Sequence, residues 1–286
     1  MEKPQEPHNK PQSDALPDTS DAELVLPSLA QLYPPLSLGD LVSETLPLGS
    51  FSSLARQGGA EPVKDTVALM VSGSPEGVSP ELLRMLVSQT DFVLALDSGA
   101  ELLEAAGLAP DLLLGDFDSI TADSLARLEA SGVPVAKHDA YKNATDVELG
   151  IEELYARGYR RFIATNVLGG RTDHALGSLA ALAEAAHNRG MEVSLRDERE
   201  ACYFVSGTTT DRALELEFPP DALPSHVSLI SWGGPSVVTL KGTEWELERF
   251  TLSPYSARGI SNELRSPHLH LEVHKGSATM LLLLKT

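Results

Sequence analysis

The stretch PDLLLGDFDSI, residues 110–120, decides the fold. Asp111 to Leu114 is a short run dominated by leucine, with none of the polar alternation of a half-exposed strand. Such a run reads as a strand covered on both faces, the pattern of a parallel sheet between helices. Gly115 breaks the run, and Asp116 and Asp118 follow in one tight turn. Like charges at one strand end raise each other's pKa unless a cation relieves them. The stretch therefore predicts a strand whose carboxyl end serves a positively charged partner.

The same rhythm extends on both sides. Upstream, TVALMVSG (66–73) and FVLALD (92–97) read as strands, each followed by a helix: SPELLRMLVSQ (79–89), with Ser79 as cap and Pro80 at the first position, and AELLEAAG (100–107), closed by Gly107. Downstream, TADSLARLEASG (121–132) is a helix that Thr121 caps and Gly132 stops, and VPVAKHD (133–139) is a strand. TDVELGIEELYARG (145–158) places Val147, Ile151, Leu154 and Tyr155 on one helical face. RFIATNVLGG (161–170), the alanine-rich helix DHALGSLAALAEAAHNRG (173–190) and MEVSLRD (191–197) complete the alternation. A mainly parallel sheet flanked by helices follows.

Beyond about residue 200 no long helix intervenes. CYFVSG, VSLISW, SVVTLKG, EWELERFTL, HLHLEVHKG and ATMLLLLKT read as short strands between Gly/Pro/Ser turns, the signature of an all-β sandwich. The expected fold class is thus α/β followed by a C-terminal β-sandwich. The expected organisation is a proline-rich and partly disordered arm over 1–60, an α/β domain over 61–200, and the sandwich over 201–286.

Composition narrows the partners. The chain has 286 residues, 42% of them apolar, and a net charge of −19. So acidic a chain repels nucleic-acid phosphate and anionic lipid. No apolar run approaches the roughly 18 residues of a membrane span, and the opening MEKPQEPHNKPQSD lacks the apolar core of a signal peptide. The one cysteine, Cys202, lies in the apolar run ACYFV and reads as a buried structural thiol. A soluble cytoplasmic protein is expected.

Ligands of open α/β sheets sit at the carboxyl ends of the strands, and here that edge carries Asp97, Asp116, Asp118, Asp146 and Asp173. Taken singly, Asp146 and Asp173 stand where helix caps belong, and Asp97 and Asp118 could close Asx-turns. Together they suit a hard divalent cation, Mg²⁺ before Ca²⁺ or Mn²⁺, shared with a phosphate. No Cys/His set has zinc spacing. LGGRTDH (168–174) sets two glycines and Arg171 before a helix start, where backbone N–H groups and a guanidinium can hold an anion. Lys142 could add a point charge, and SGSPEG (72–77) is a further turn at the rim. Neither a P-loop nor a GxGxxG fingerprint occurs. These parts suit phosphoryl or diphosphoryl transfer, and also nucleotide binding without chemistry.

LDSGA, PDLLLGDFDS, KNATDVELG, LGGRTDH and ARGISNE occur in the order and rough spacing found in thiamin pyrophosphokinases, and from about residue 66 to the end the chain resembles that family. The resemblance implies transfer of the diphosphate of ATP to the hydroxyethyl oxygen of thiamin, giving thiamin diphosphate and AMP, with Mg²⁺, in a homodimer whose site lies across the interface. It implies metal and catalytic roles for Asp97, Asp116, Asp118 and Asp146, with metal ligation by the first three. It implies nucleotide contacts for Arg171 and Asp173, and the residue pattern adds the neighbouring His174 and the loop residue Lys142 as nucleotide-binding candidates. Thiamin contacts would come from Trp245, Ser261 and Asn262; an indole face suits the cationic thiazolium. Ser98, Glu101 and Asn143 depart from the usual pattern. The alternatives are a diphosphokinase for another hydroxyalkyl heterocycle, such as a hydroxymethylpterin, and a non-catalytic sensor of nucleotide or thiamin diphosphate.

Overall fold

Start and stop signals at nearly every junction keep the elements short. The Ser79 hydroxyl accepts from the Leu82 N–H at 3.1 Å, with Pro80 next, and opens helix α1, Pro80–Ser88. Helix α2 is Gly99–Ala105, and Gly107 beyond it has φ +72°. Thr121 accepts from the Ser124 N–H and caps α3, Ala122–Ala130, with Gly132 (φ +84°) turning the chain away. A reciprocal capping box between Thr145 and Glu148 starts α4, Asp146–Ala156. Helix α5 is Thr172–Asn188 and has no side-chain cap. The computed structural model describes residues 50–53, 66–137, 144–207, 212–220 and 222–284. The expected N-terminal arm lies outside these residues except for strand β1, Ser50–Ser53.

Between the helices run β2 (Val67–Val71), β3 (Phe92–Leu96), β4 (Leu112–Gly115), β5 (Val135–Lys137), β6 (Arg161–Thr165) and β7 (Glu192–Arg196). They pair in parallel in the order β7-β6-β2-β3-β4-β5. From β2 the chain steps outward to β5 and then returns to the other side of β2. The sheet's topological switch point therefore lies between β2 and β6.

Alternation along each strand divides the packing. Leu69, Val71, Val93, Ala95 and Leu113 pack with Leu82, Leu83, Leu86, Leu103 and Leu128 of α1–α3. Met70, Leu94, Leu96, Leu112 and Leu114 pack with Val147, Ile151 and Leu154 of α4 and with Leu182 and Ala186 of α5. Three helices cover one face and two the other. The leucine run is apolar throughout because it has no wet side.

The sheet then changes character. Strand β8 (Glu200–Ser206) joins β7 antiparallel, and β9 (Arg212–Glu217), β10 (His226–Lys241), β11 (Leu247–Leu252) and β12 (His268–Leu283) add further antiparallel pairs, with β1 on the outer edge of β9. Here β8 serves two cores. Cys202 and Phe204 point into the α/β core, while Ala201, Tyr203 and Val205 enter a second core with Leu214, Val227, Leu240, Leu271 and Met280. Cys202 is fully buried, and burial raises its thiol pKa well above the ordinary value.

The fold class is as the sequence predicts, with one difference in the β region. VSLISW and SVVTLKG form one continuous strand, β10, and HLHLEVHKG and ATMLLLLKT form β12. The intervening Gly233, Gly234 and Pro235, and Gly276 at φ +79°, bend the strands instead of ending them; the β10–β12 register shifts between Trp232 and Val238.

Candidate active site

The acid rim forms where the segments after β3 and β4 leave the sheet through left-handed backbone positions. Asp97 leaves β3 with φ +44°, and Phe117 sits between Asp116 and Asp118 with φ +66°. The Asp97 carboxylate turns inward, 4% exposed, and accepts the Phe117 N–H at 3.0 Å. Asp116 accepts the Asp118 N–H at 3.1 Å and closes the turn. One oxygen each from Asp97, Asp116 and Asp118 lies within 4.8 Å of the others. That arrangement could hold a hard cation, and three carboxylates are the donor chemistry Mg²⁺ prefers.

Asp146, in the first turn of α4, completes the electrostatics. Burial first, then the charges of Asp146, Asp116 and Asp118, push the Asp97 carboxyl up to about 7, against the opposing Phe117 hydrogen bond. Burial and the charges of Asp116 and Asp118 also raise Asp146, which hydrogen bonding with Asp97 partly offsets. A site that stores repulsion of this kind is relieved by a cation. Helix capping does not account for Asp146, since Thr145 does that work. Asp116, not Asp118, accepts the turn's hydrogen bond.

A cavity of about 490 Å³ opens at the switch point beside these acids. Asp97, Asp118, Ser119, Thr145 and Asp146 line one side of it; the turn Ser72–Pro75 after β2 and the segment with Val167, Gly169, Gly170, Arg171 and His174 after β6 line the other. The two glycines permit a close approach: a Cβ on Gly169 would lie 2.6 Å from Glu76 and one on Gly170 2.8 Å from Pro75, with φ +94° and +63°.

Asp173 does not join the other aspartates. Its carboxylate forms a two-point pair with Arg171, at 2.6 and 3.1 Å, on the exposed start of α5, and the guanidinium holds it down to about 2. It does not line the cavity, and its Oδ1 also accepts the His174 N–H at 3.0 Å in the first turn of α5. Lys142 and Asn143 lie outside the described residues. Of the other departures, Glu101 faces α3, where it accepts from the Thr121 N–H and hydroxyl at 2.9 and 2.6 Å. Ser98 approaches Gly73 O and the Ser119 hydroxyl at 3.5 and 3.4 Å.

Trp245, Ser261 and Asn262 lie in the β region and do not line this cavity. Asn262 is 9% exposed and latches its neighbours: Oδ1 accepts the N–H groups of Trp245 and Glu263, while Nδ2 donates to Trp245 O and Thr243 Oγ1. Trp245 is 60% exposed and so is not sandwich core; Tyr255 and Ile260 on the nearby segment are exposed too. Ser261 holds φ +62° beside the latch.

Asn166 escaped the sequence reading. It directly follows β6 at φ +55°, buried, and its amide donates to Ser72 O at 2.8 Å and Ser74 O at 2.9 Å. The only sequence signal is an asparagine between a strand and a glycine pair, and asparagine tolerates a left-handed backbone.

Two family models match the chain in order. The catalytic domain of thiamin pyrophosphokinase matches residues 83–195, and that family's vitamin B1 binding domain matches residues 214–277. The thiamine pyrophosphokinase of Bacillus subtilis is 26% identical over 197 residues, covering 68% of this chain and 88% of that protein. The crystal structure of the Bacillus subtilis enzyme superposes with a TM-score of 0.65 at 23% identity, over 77% of this chain and all of the other. The yeast thiamin pyrophosphokinase structure gives 0.63 at 13% identity, over 78% of this chain and 88% of its own. At those identities the superpositions speak for the fold. The two sequence models fall on the two halves that the strand pattern separates, and they place the chain in the thiamin pyrophosphokinase family, a family of enzymes.

Proposed function

We propose that the chain transfers the diphosphate of ATP to the hydroxyethyl oxygen of thiamin, releasing AMP. The observation that carries this reading is the convergence of Asp97, Asp116 and Asp118 within 4.8 Å, with Asp97 and Asp118 lining the switch-point cavity. It stands in a chain whose two halves match a catalytic and a vitamin B1 binding domain.

In this reading the three aspartates hold Mg²⁺, which when bound neutralises charge on the polyphosphate. The backbone N–H groups around Gly169 and Gly170 and the Arg171 guanidinium grip the phosphates, and Arg171 releases Asp173 to do so. His174, on the cavity wall, lies against the nucleotide, and Lys142 approaches the phosphates from its loop. The thiamin hydroxyl attacks the β-phosphorus in line, the bond to the α-phosphate oxygen breaks, and AMP leaves with that oxygen. Asp146 takes the hydroxyl proton. It lines the cavity and stands outside the metal-holding trio, which leaves its carboxylate available.

Trp245, held out by Asn262 and flanked by Ser261, stacks on the thiamin rings. It does not line the catalytic cavity of its own chain, so the reading includes a homodimer in which the sandwich of one subunit faces the rim of the other. The exposed Trp245, Tyr255 and Ile260, and Leu176 on α5, support that arrangement. A reducing, cytoplasmic setting belongs to the same reading, and a lone buried cysteine is compatible with it.

The test is AMP release from ATP and Mg²⁺ with thiamin, run beside a hydroxymethylpterin and simple hydroxyethyl compounds. Release that depends on thiamin supports the proposal. Release that depends only on the pterin, or on no acceptor, overturns it.

A further inference from the structure

We infer that Asn166 is a positioning residue that sets the separation of the two turns forming the wall opposite the acid rim. This rests on the reading of the switch-point cavity as the nucleotide site. One turn follows β2 and contains Ser72 and Ser74; the other follows β6 and leads to Arg171. Asn166 lies between them and is 2% exposed.

Its side-chain Nδ2 and both of its backbone polar groups are engaged here. Its side-chain Nδ2 donates to Ser72 O and Ser74 O, both carbonyls of the first turn, at 2.8 and 2.9 Å. Its own carbonyl accepts the Ser74 N–H at 3.2 Å, and the Thr165 carbonyl accepts the Ser72 N–H at 3.0 Å. From behind, Asp197 at the end of β7 accepts the Asn166 N–H at 2.7 Å and the Thr165 hydroxyl at 3.1 Å. The Ser74 hydroxyl adds a short bond to Leu168 O, again across the two turns.

The choice of residue follows from three demands. The backbone is left-handed, at φ +55°, which glycine and asparagine accept most easily. Two carbonyls must be satisfied, which needs an amide and excludes a carboxylate. The space is closed, which excludes a longer side chain. Glycine meets only the first demand. It would leave Ser72 O and Ser74 O without that donor and let the Ser72–Pro75 turn move against Gly170, whose Cα already faces Pro75 with no room for a Cβ. Since the wall grips the nucleotide and not the acceptor alcohol, its loosening is read in ATP and not in thiamin.

The test uses the full chain and Asn166→Gly, with Asn166→Asp as an isosteric second variant that removes the donor and retains the shape. Binding of α,β-methylene-ATP with Mg²⁺ is measured by calorimetry, and KM is measured for ATP and thiamin separately. The loss of two buried hydrogen bonds predicts nucleotide binding and the KM for ATP weaker by about tenfold in Asn166→Gly, with the KM for thiamin unchanged. Asn166→Asp weakens both further. Equal nucleotide affinity in the wild type and in a folded variant overturns the inference and leaves the proposed function standing. So does a parallel rise of both KM values with a lowered melting temperature, the mark of a merely structural residue. A wild-type chain that does not bind the analogue overturns the nucleotide reading and this inference together.

Discussion

The Asp97 carboxylate occupies the space where a side chain on Gly115 would begin: a Cβ there would lie 1.9 Å from Asp97 Oδ1. The last residue of β4 is glycine because the acid at the end of β3 needs its place. Gly115→Ala must therefore push Asp97 out of line with Asp116 and Asp118. A displacement of that order in a positioned group costs about a hundredfold in rate. Steady-state assays of AMP release at saturating Mg²⁺ check this, and a variant with normal turnover would remove Asp97 from the metal trio.

Asp118 separates chemistry from stability. Its side chain is exposed at the cavity mouth, so Asp118→Asn leaves folding stability within about 0.5 kcal/mol. Activity falls by orders of magnitude, about 10³-fold, as for loss of a group that stabilises transition-state charge. Paired melting curves and turnover measurements decide the point; near-normal turnover argues against the metal role.

Without metal, Asp97 should make stability depend on pH. Its carboxyl moves from the ordinary 3.8 to about 7 on folding, so the folded state binds the proton more tightly than the unfolded state. The contribution of this proton to stability is complete below about pH 4 and is lost as the pH rises through about 7. The loss amounts to a few kcal/mol at most. If Mg²⁺ binds these carboxylates as proposed, it takes the place of the proton and should raise the melting temperature more at about pH 8 than at about pH 5. Equal shifts at the two pH values would contradict a cation at these carboxylates.

Trp245 and Asn262 should part in their effects. Trp245 is 60% exposed, and Trp245→Ala should raise the KM for thiamin by about tenfold, the worth of one stacking contact with a cation, and leave melting unchanged. Asn262 satisfies four backbone and hydroxyl groups, so Asn262→Ala should raise the same KM and also cost about 1–3 kcal/mol of stability. Loss of stability in the tryptophan variant would place its ring in a packed setting.

The fold was legible wherever caps and strand composition agree. Ser79, Thr121 and Gly132 mark helix ends in the sequence and in the structure, and the leucine run of β4 announces burial on both faces. The acid trio was legible because the alternation of strands and helices implies a parallel sheet, and parallel strands bring their carboxyl ends to one edge. Strands β10 and β12 were misread as pairs of strands because glycine and proline mark a bulge and a turn with the same letters. Asp173 looked like a member of the acid cluster, but its neighbour Arg171 pairs with it, a contact that spacing alone does not rank against the cavity. Asn166 was missed because its role lies in partners 92 and 94 residues away in the chain.

Strand β8 lends alternate side chains to two interiors, Cys202 and Phe204 to one and Tyr203 and Val205 to the other. No hinge can pass through such a strand without opening both interiors to water. The molecule should therefore melt in one cooperative calorimetric step, and any closure over bound substrates falls to the turns at the sheet's edge, with the body behind them acting as a fixed anvil.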